Sequence, residues 1–190
     1  MTKNHANEWR ISRRGVGGVA LSAALVAAGV QPAAGQELAS VSLSVEDRLG
    51  IIDLFANYVW AYDCSDLAEF LSLFTDDALV VGRGTVYRGK EELAGWFNYL
   101  LGLRENEGDD IWMHEAGQFR FEGTSPVIVY AYATHFNGNI EKATRGVRSL
   151  GYFVCECVST ETGWKFNRFS ITTWDRTTLP WKKPLPWAAA

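Results

Sequence analysis

The chain has 190 residues, of which 47% are hydrophobic and 21% are charged, and its formal net charge is -4. These proportions are typical of a globular protein and exclude a collagen, a coiled coil or a wholly disordered chain. The acidic balance provides no basic field for a phosphate backbone, so we expect no nucleic-acid partner.

Residues 1–35 have the layout of an export signal. Three arginines within residues 10–14 precede a mildly apolar run over residues 16–30, and small residues follow it. That run is shorter than the about 20 residues that a spanning helix needs. We therefore expect a cleaved, twin-arginine-like signal peptide without stable membrane insertion, and an exported, periplasmic protein. A folded domain at 36–178 and a Pro/Trp-rich tail at 179–190 would follow the signal.

Helical spacing of apolar side chains marks the first part of the folded domain. It predicts three helices, at residues 45–63, 66–74 and 90–103. The second helix is expected to close at Thr75-Asp76-Asp77. The Pro/Trp-rich tail cannot continue a sheet, so we expect it on the surface or at a subunit contact.

The period then changes to two, which is typical of strands. Four long strands are predicted at residues 111–121, 126–136, 145–159 and 164–174, and a short hairpin at 78–81 and 85–87. Helices ahead of an antiparallel meander predict an α+β domain whose three N-terminal helices pack on one face of a curved, mostly antiparallel sheet. Cys155 and Cys157 share one strand face and are expected to be small buried side chains.

Three titratable residues stand out as candidates for chemistry. Asp63 ends the apolar stripe of the first helix, where an inward carboxylate needs a partner. The alternative is a helix-terminal acid that bonds amides of the following turn. His114 and His135 are the only histidines after residue 35, and both lie in predicted strands. Either histidine alone fits a satisfied core side chain, but imidazole held by a carboxylate is the usual general base near neutral pH.

Strand alternation assigns neighbours to the two histidines. Trp112, Ala116 and Gln118 are expected on the face of His114. Small residues beside His135 would leave space for a cavity. The residues expected to line it and bind a substrate are Tyr58, Trp60, Trp112, Ala131, Ala133 and Phe136. Core packing explains the aromatic members equally well.

Four motifs stand out along the chain. They are Tyr58-Val-Trp-Ala-Tyr62-Asp63, the segment 66–77 that ends in Thr-Asp-Asp, Tyr87-Arg-Gly-Lys-Glu-Glu-Leu and Gly163-Trp-Lys-Phe-Asn-Arg-Phe. Together they resemble the SnoaL-like branch of the nuclear transport factor two superfamily. The resemblance covers roughly residues 45–174. It implies a conical α+β barrel with a pocket between sheet and helices, and a homodimer or homotrimer formed through the sheet.

Within that superfamily the pattern is similar to that of scytalone dehydratase and hexachlorocyclohexane dehydrochlorinase. Asp63 and His114 match their helix aspartate and strand histidine, and Tyr62 and His135 match a tyrosine and second histidine of the dehydratase. Gly82 stands where the dehydratase carries another tyrosine.

The resulting hypothesis is a lyase or isomerase that needs neither cofactor nor metal. His114 would remove a proton from a carbon of a small hydrophobic substrate, and Asp63 would fix its tautomer. His135 and Tyr62 would bond the developing oxyanion or the leaving group. Two alternatives stay open: epoxide hydrolysis or cyclisation in the same pocket, and a non-catalytic ligand-binding module.

Overall fold

The computed structural model describes residues 42–108, 110–175 and 178–188. The expected export signal lies outside these residues. The described chain contains three α-helices, six strands and one 3-10 turn. In chain order they are α1 (Val45–Asp63), α2 (Leu67–Ser72), β1 (Phe74–Gly82), β2 (Thr85–Arg88), α3 (Gly89–Glu107), β3 (Ile111–Glu122), β4 (Val127–Asn139), β5 (Thr144–Thr160), β6 (Gly163–Thr173) and the turn Pro180–Lys182. No helix in the described ranges is long and apolar enough to cross a membrane.

The first helix agrees with its prediction at both ends. The Ser44 side chain accepts the backbone N–H of Asp47, which caps one of the free amides of the first turn. One face of α1 is buried, and its members are Ile51, Leu54, Phe55, Tyr58, Ala61 and Tyr62. This stripe fixes the rotation of the helix about its axis and so determines where the side chains at its C-terminal end lie.

The second helix is shorter than predicted. It begins after Asp66, whose carboxylate accepts the Glu69 amide at 2.9 Å, and it ends at Ser72. Thr75-Asp76-Asp77 does not close it but lies inside β1. Phe74 explains the change, because it is 1% exposed and pairs with Phe166 of β6, which draws the chain into the sheet.

The six strands form one sheet in the order β2-β1-β6-β5-β4-β3. Only β1 and β6 pair in parallel, and the other neighbours are antiparallel. The predicted α+β class is confirmed, with the helices on one face of the sheet. The sheet is unclosed, because the order leaves β2 and β3 as edges.

The two faces of the sheet have different coverings. The helix-side face is filled mainly by aromatic and β-branched side chains, and it also holds the free, buried thiols of Cys155 and Cys157, as predicted. The opposite face carries a second cluster of Tyr130, Tyr152 and Val154. Trp181, Leu185 and Trp187 of the C-terminal tail pack on that cluster.

The strand β3 contains a bulge that the sequence pattern does not predict. Its pairing with β4 shifts between Gly117 and Arg120, and Gln118 has a φ of 53°. Such a bulge inserts one residue and reverses the alternation beyond it. Gln118 is therefore exposed and does not share the face of His114, whereas Phe119 packs on the core.

Burial of Tyr58 predicts a loss of stability at alkaline pH. Desolvation, followed by the neighbouring Tyr62, Cys155 and Asp63, raises the pKa of Tyr58 well above its ordinary 10.0. Above about pH 10 the unfolded chain releases this proton and the folded chain retains it, so the free energy of unfolding should fall by up to about 1.4 kcal/mol per pH unit. Urea unfolding between about pH 8 and 11 measures this slope. Tyr58→Phe should make it shallower, and an unchanged slope would contradict the assignment.

Candidate active site

The C-terminal end of α1 is held by an arginine of α3. Arg104 Nη1 donates to the backbone carbonyl of Asp63 at 3.1 Å and to Ser65 Oγ at 3.3 Å. Ser65 has a φ of 61°, so the chain reverses sharply after the helix. These contacts fix the backbone that carries Asp63 at the point where the helix meets the sheet.

The two histidines lie opposite each other on neighbouring strands. His114 of β3 pairs with His135 of β4, and their rings stack with centroids 4.4 Å apart and an interplanar angle of 18°. Trp112 lies two residues before His114 on the same face, and its ring is 4.0 Å from that of His135. Strand alternation and register thus suffice to bring two imidazoles together from residues 21 positions apart in the sequence.

Asp63 binds His114 at two atoms. Its Oδ1 lies 2.6 Å from His114 Nδ1, and its Oδ2 accepts the backbone N–H of His114 at 2.7 Å. That amide is available because β3 is an edge strand. The two side chains are only 11% and 12% exposed, for Asp63 and His114 respectively. A carboxylate accepts only, so Nδ1 carries a proton, and in the neutral imidazole Nε2 keeps the lone pair.

A cavity of about 520 Å³ adjoins the dyad. Its wall includes Tyr58, Tyr62, Trp112, His114 and His135. A smaller cavity of about 220 Å³ shares both histidines with it. Volumes in this range suit a small-molecule ligand. The arrangement therefore combines an oriented imidazole with room for a small ligand.

Tyr62 lies against the imidazole of His114, with the two ring centroids 4.8 Å apart. Burial raises the pKa of the Tyr62 hydroxyl far above its usual range, and the nearby Trp112 indole opposes the shift only in part. Tyr62 is therefore a neutral phenol at physiological pH and can donate a hydrogen bond.

Most of the residues predicted from the sequence meet at this cavity. Asp63 stands behind His114, and Ala133 lines the smaller cavity. Ala131 is 2% exposed and belongs to the core instead of the cavity wall. The positions of Ala131 and Ala133 follow from strand alternation in β4, because alternate residues of that strand point toward the helices.

Two predicted lining residues point elsewhere. Trp60 is 70% exposed, because it lies two positions from both Tyr58 and Tyr62 and so projects from the opposite side of α1. Phe136 follows the inward His135 in β4, and alternation sends its side chain to the other face, where it pairs with the exposed Met113. Neither residue lines the cavity.

Part of the wall comes from segments that the sequence pattern did not single out as a site. These residues are Gly82, Arg83, Trp96, Leu100, Leu103, Arg148, Ser149, Phe153 and Ile171. A Cβ on Gly82 would lie 3.0 Å from Trp96 Nε1, so the indole of α3 occupies the space beside this glycine. Trp96 and Leu100 belong to the apolar side chains whose helical spacing predicts the third helix, which places them on its inward face. The turn after β1 gave no comparable signal.

The same groups do not form a metal site. Within residues 42–108, 110–175 and 178–188, no group of three His, Cys, Asp or Glu side chains is arranged to hold a metal ion. His114 and His135 stack face to face, and Asp63 is bound to Nδ1 of the first ring. Their nitrogen atoms consequently do not converge on a common point.

Comparison with known proteins gives one family match. The model of the SnoaL-like domain matches residues 43–170, which confirms the resemblance noted in the sequence motifs. No curated protein matches the chain significantly.

Solved structures share the fold at low sequence identity. A protein with a cystatin-like fold from Nostoc punctiforme is 20% identical, has a TM-score of 0.59 and aligns over 73% of this chain and 98% of its own. ActVI-ORFA from Streptomyces coelicolor is 9% identical, with a TM-score of 0.61 over 72% and 100%. A Novosphingobium aromaticivorans protein provisionally named scytalone dehydratase is 14% identical, with a TM-score of 0.56 over 70% and 89%.

Proposed function

This chain belongs to the SnoaL-like domain family, and we propose that it is a cofactor-independent lyase or isomerase acting on a small, mainly hydrophobic substrate. Its fold is of the small-molecule dehydratase and isomerase type. The observation that carries the proposal is that the Asp63 carboxylate binds both Nδ1 and the backbone N–H of His114 beside a cavity. These two hydrogen bonds give the imidazole one orientation and one tautomer.

The proposed reaction begins when His114 Nε2 removes a proton from a substrate carbon. In an elimination, the electrons of the C–H bond form the new C=C bond, and the leaving group departs with the electrons of its own bond. In an isomerisation, the imidazolium returns the proton to a different carbon. Asp63 stabilises the imidazolium, and the neutral Tyr62 together with His135 can bond the developing negative charge.

The composition of the wall favours this chemistry over epoxide hydrolysis. Epoxide hydration or cyclisation would be expected to rely on carboxylates and arginines in the pocket. Arg83 and Arg148 do line the larger cavity, so the carboxylates decide between the two reactions. None of the described residues that line the larger cavity is an aspartate or a glutamate. The nearest carboxylate, Asp63, already binds His114. A histidine base therefore agrees better with this site.

Hydrogen exchange tests the proposal without knowledge of the natural substrate. A protein that abstracts protons from carbon should speed the loss of α-proton signals from bicyclic ketones such as 2-tetralone in deuterium oxide, as followed by proton NMR. His114→Gln should remove the acceleration. Exchange at the same rate with the His114→Gln variant would overturn the proposed base. Binding of the ketones without exchange would instead support a non-catalytic ligand-binding module.

Arg104 is expected to act as a positioning residue for Asp63. It binds the Asp63 carbonyl and Ser65 but does not line the cavity. Arg104→Met should lower kcat about tenfold and leave KM nearly unchanged, since substrate contacts persist while the dyad loosens. Arg104→Lys keeps one donor and should restore part of kcat. An equal fall in stability for both variants with no split between kcat and KM would contradict this role.

We also propose that the protein is exported to the periplasm and assembles as a homodimer or homotrimer through its sheet. The arginines and apolar run of residues 10–30 support export. Exposed Met113, Tyr132 and Leu150 on neighbouring strands support the assembly. Protein recovered from the periplasm should begin near Gln36, and sedimentation should give a mass of two or three chains.

A further inference from the structure

Two arginines interrupt the aromatic and apolar wall of the larger cavity. Arg83 comes from the turn between β1 and β2, and Arg148 comes from β5. No aspartate or glutamate is among the described residues of that wall, and Asp63 lies behind it, bound to His114. The wall therefore contributes two guanidinium groups to the cavity of a chain whose net charge is -4. Their positive charge attracts anions.

The turn between β1 and β2 places Arg83 at the cavity, and no ion pair with a described residue holds its side chain there. It makes no hydrogen bond or salt bridge with the part of the chain that the structure describes. Its φ is 51°, and that of the following Gly84 is 81°. Arg83 and Gly84 are the two central residues of the β1–β2 hairpin, where the usual two-residue turn requires positive φ at both positions. The turn places Arg83 at the cavity, and its guanidinium donors are available to a ligand.

Arg83 also lies close to the proposed catalytic groups. It lines both cavities, together with His114, His135 and Ser149. Tyr62 lines the larger cavity with it. An anionic group bound by Arg83 would leave the rest of the ligand beside the imidazoles.

We infer that the substrate is a cyclic or aromatic carboxylate, whose carboxylate binds Arg83 and Arg148 and whose ring lies between Trp96 and Trp112. This inference rests on the proposed function, because it names the substrate class of the same cavity. A guanidinium matches a carboxylate through two parallel hydrogen bonds, which a neutral amide cannot reproduce. The aromatic wall supplies the apolar contact area for the ring.

Calorimetric titration of two matched probes tests the charge preference. The probes are 2-naphthoate and its neutral isostere 2-naphthamide. The intact protein should bind the carboxylate at least about tenfold more tightly than the amide. Raising sodium chloride from about 50 to 500 mM should lower the affinity for the carboxylate but not for the amide, because salt screens the charge of the carboxylate. Equal affinities, a preference for the amide, or no binding of 2-naphthoate at about 1 mM would overturn the inference.

Substitution of single arginines by glutamine shows which residues cause the preference for the carboxylate over the amide. Arg83→Gln and Arg148→Gln should each reduce the preference, and the double variant should abolish it. Arg88→Gln is the matched control, since Arg88 is an exposed arginine of the same hairpin that does not line the cavity. A loss of preference in Arg88→Gln as large as in Arg83→Gln would contradict the assignment.

The two proposals fail separately. His114→Gln should keep the carboxylate preference while losing proton exchange. Carboxylate preference without any exchange by the wild-type protein would retain the ligand class and reject the proposed catalysis. Exchange on neutral ketones with no carboxylate preference would retain the catalysis and reject the ligand class.

Discussion

Replacement of His114 with glutamine should lower kcat by about 10³-fold or more, since a general base of this kind contributes about 10²- to 10⁴-fold. Glutamine has nearly the reach of histidine and can still accept or donate a hydrogen bond, but it cannot take up a proton near neutral pH. KM should change little, because Tyr58, Trp112 and the other walls of the cavity remain. Steady-state kinetics on a substrate found by the exchange assay would measure both constants.

The control for this variant is the next residue in β3. Glu115 is exposed and points away from the cavity, so Glu115→Gln should retain full turnover. Circular dichroism and the thermal midpoint should show that both variants are folded. A folded His114→Gln protein with undiminished kcat would eliminate His114 as the base.

Asp63→Asn should lower kcat by about 10²- to 10⁴-fold. The asparagine side chain can still accept the His114 backbone N–H through its oxygen, so its amide group then faces His114 Nδ1. That amide donates, which forces Nδ1 to accept and moves the ring proton to Nε2. The nitrogen that faces the substrate would then have no lone pair, and the imidazolium would also lose its counter-charge.

A second aspartate of α1 provides the control for this change. Asp53 is exposed on the same helix, and Asp53→Asn alters the net charge equally without touching the cavity. We expect its kcat to stay within about twofold of the wild type, as for surface changes away from the site. Similar losses in both variants would mean that charge alone, and not the tautomer of His114, governs the rate.

The centre of the candidate site could be predicted from local periodicity. The helical stripe that ends at Asp63 and the alternation that turns His114 and His135 inward are properties of single elements. Each is read within about 20 residues of sequence. The resemblance to a known family then paired the aspartate with the first histidine.

The incorrect or missing predictions concern residues whose side-chain direction cannot be deduced from the apolar periodicity of one element. Trp60 was assigned to the cavity for its residue type, although its helical position directs it to solvent. The bulge at Gln118 reverses alternation because of strand pairing, which no single strand encodes. Arg83 lies in a turn, so only the assembled sheet shows that its side chain reaches the cavity.

The strand order has a consequence for synthesis of the chain. Among the strands that the structure describes, β6 is the last to be synthesised, yet it lies between β1 and β5 in the interior of the sheet. Before Gly163–Thr173 emerges, β1 and β2 can pair only with each other, and an isolated hairpin is at best marginally stable in water. A nascent chain arrested before that strand would contain Asp63 and both histidines but no finished pocket. Completion of the binding site therefore waits for β6 and is governed by the slow closure of contacts far apart in sequence.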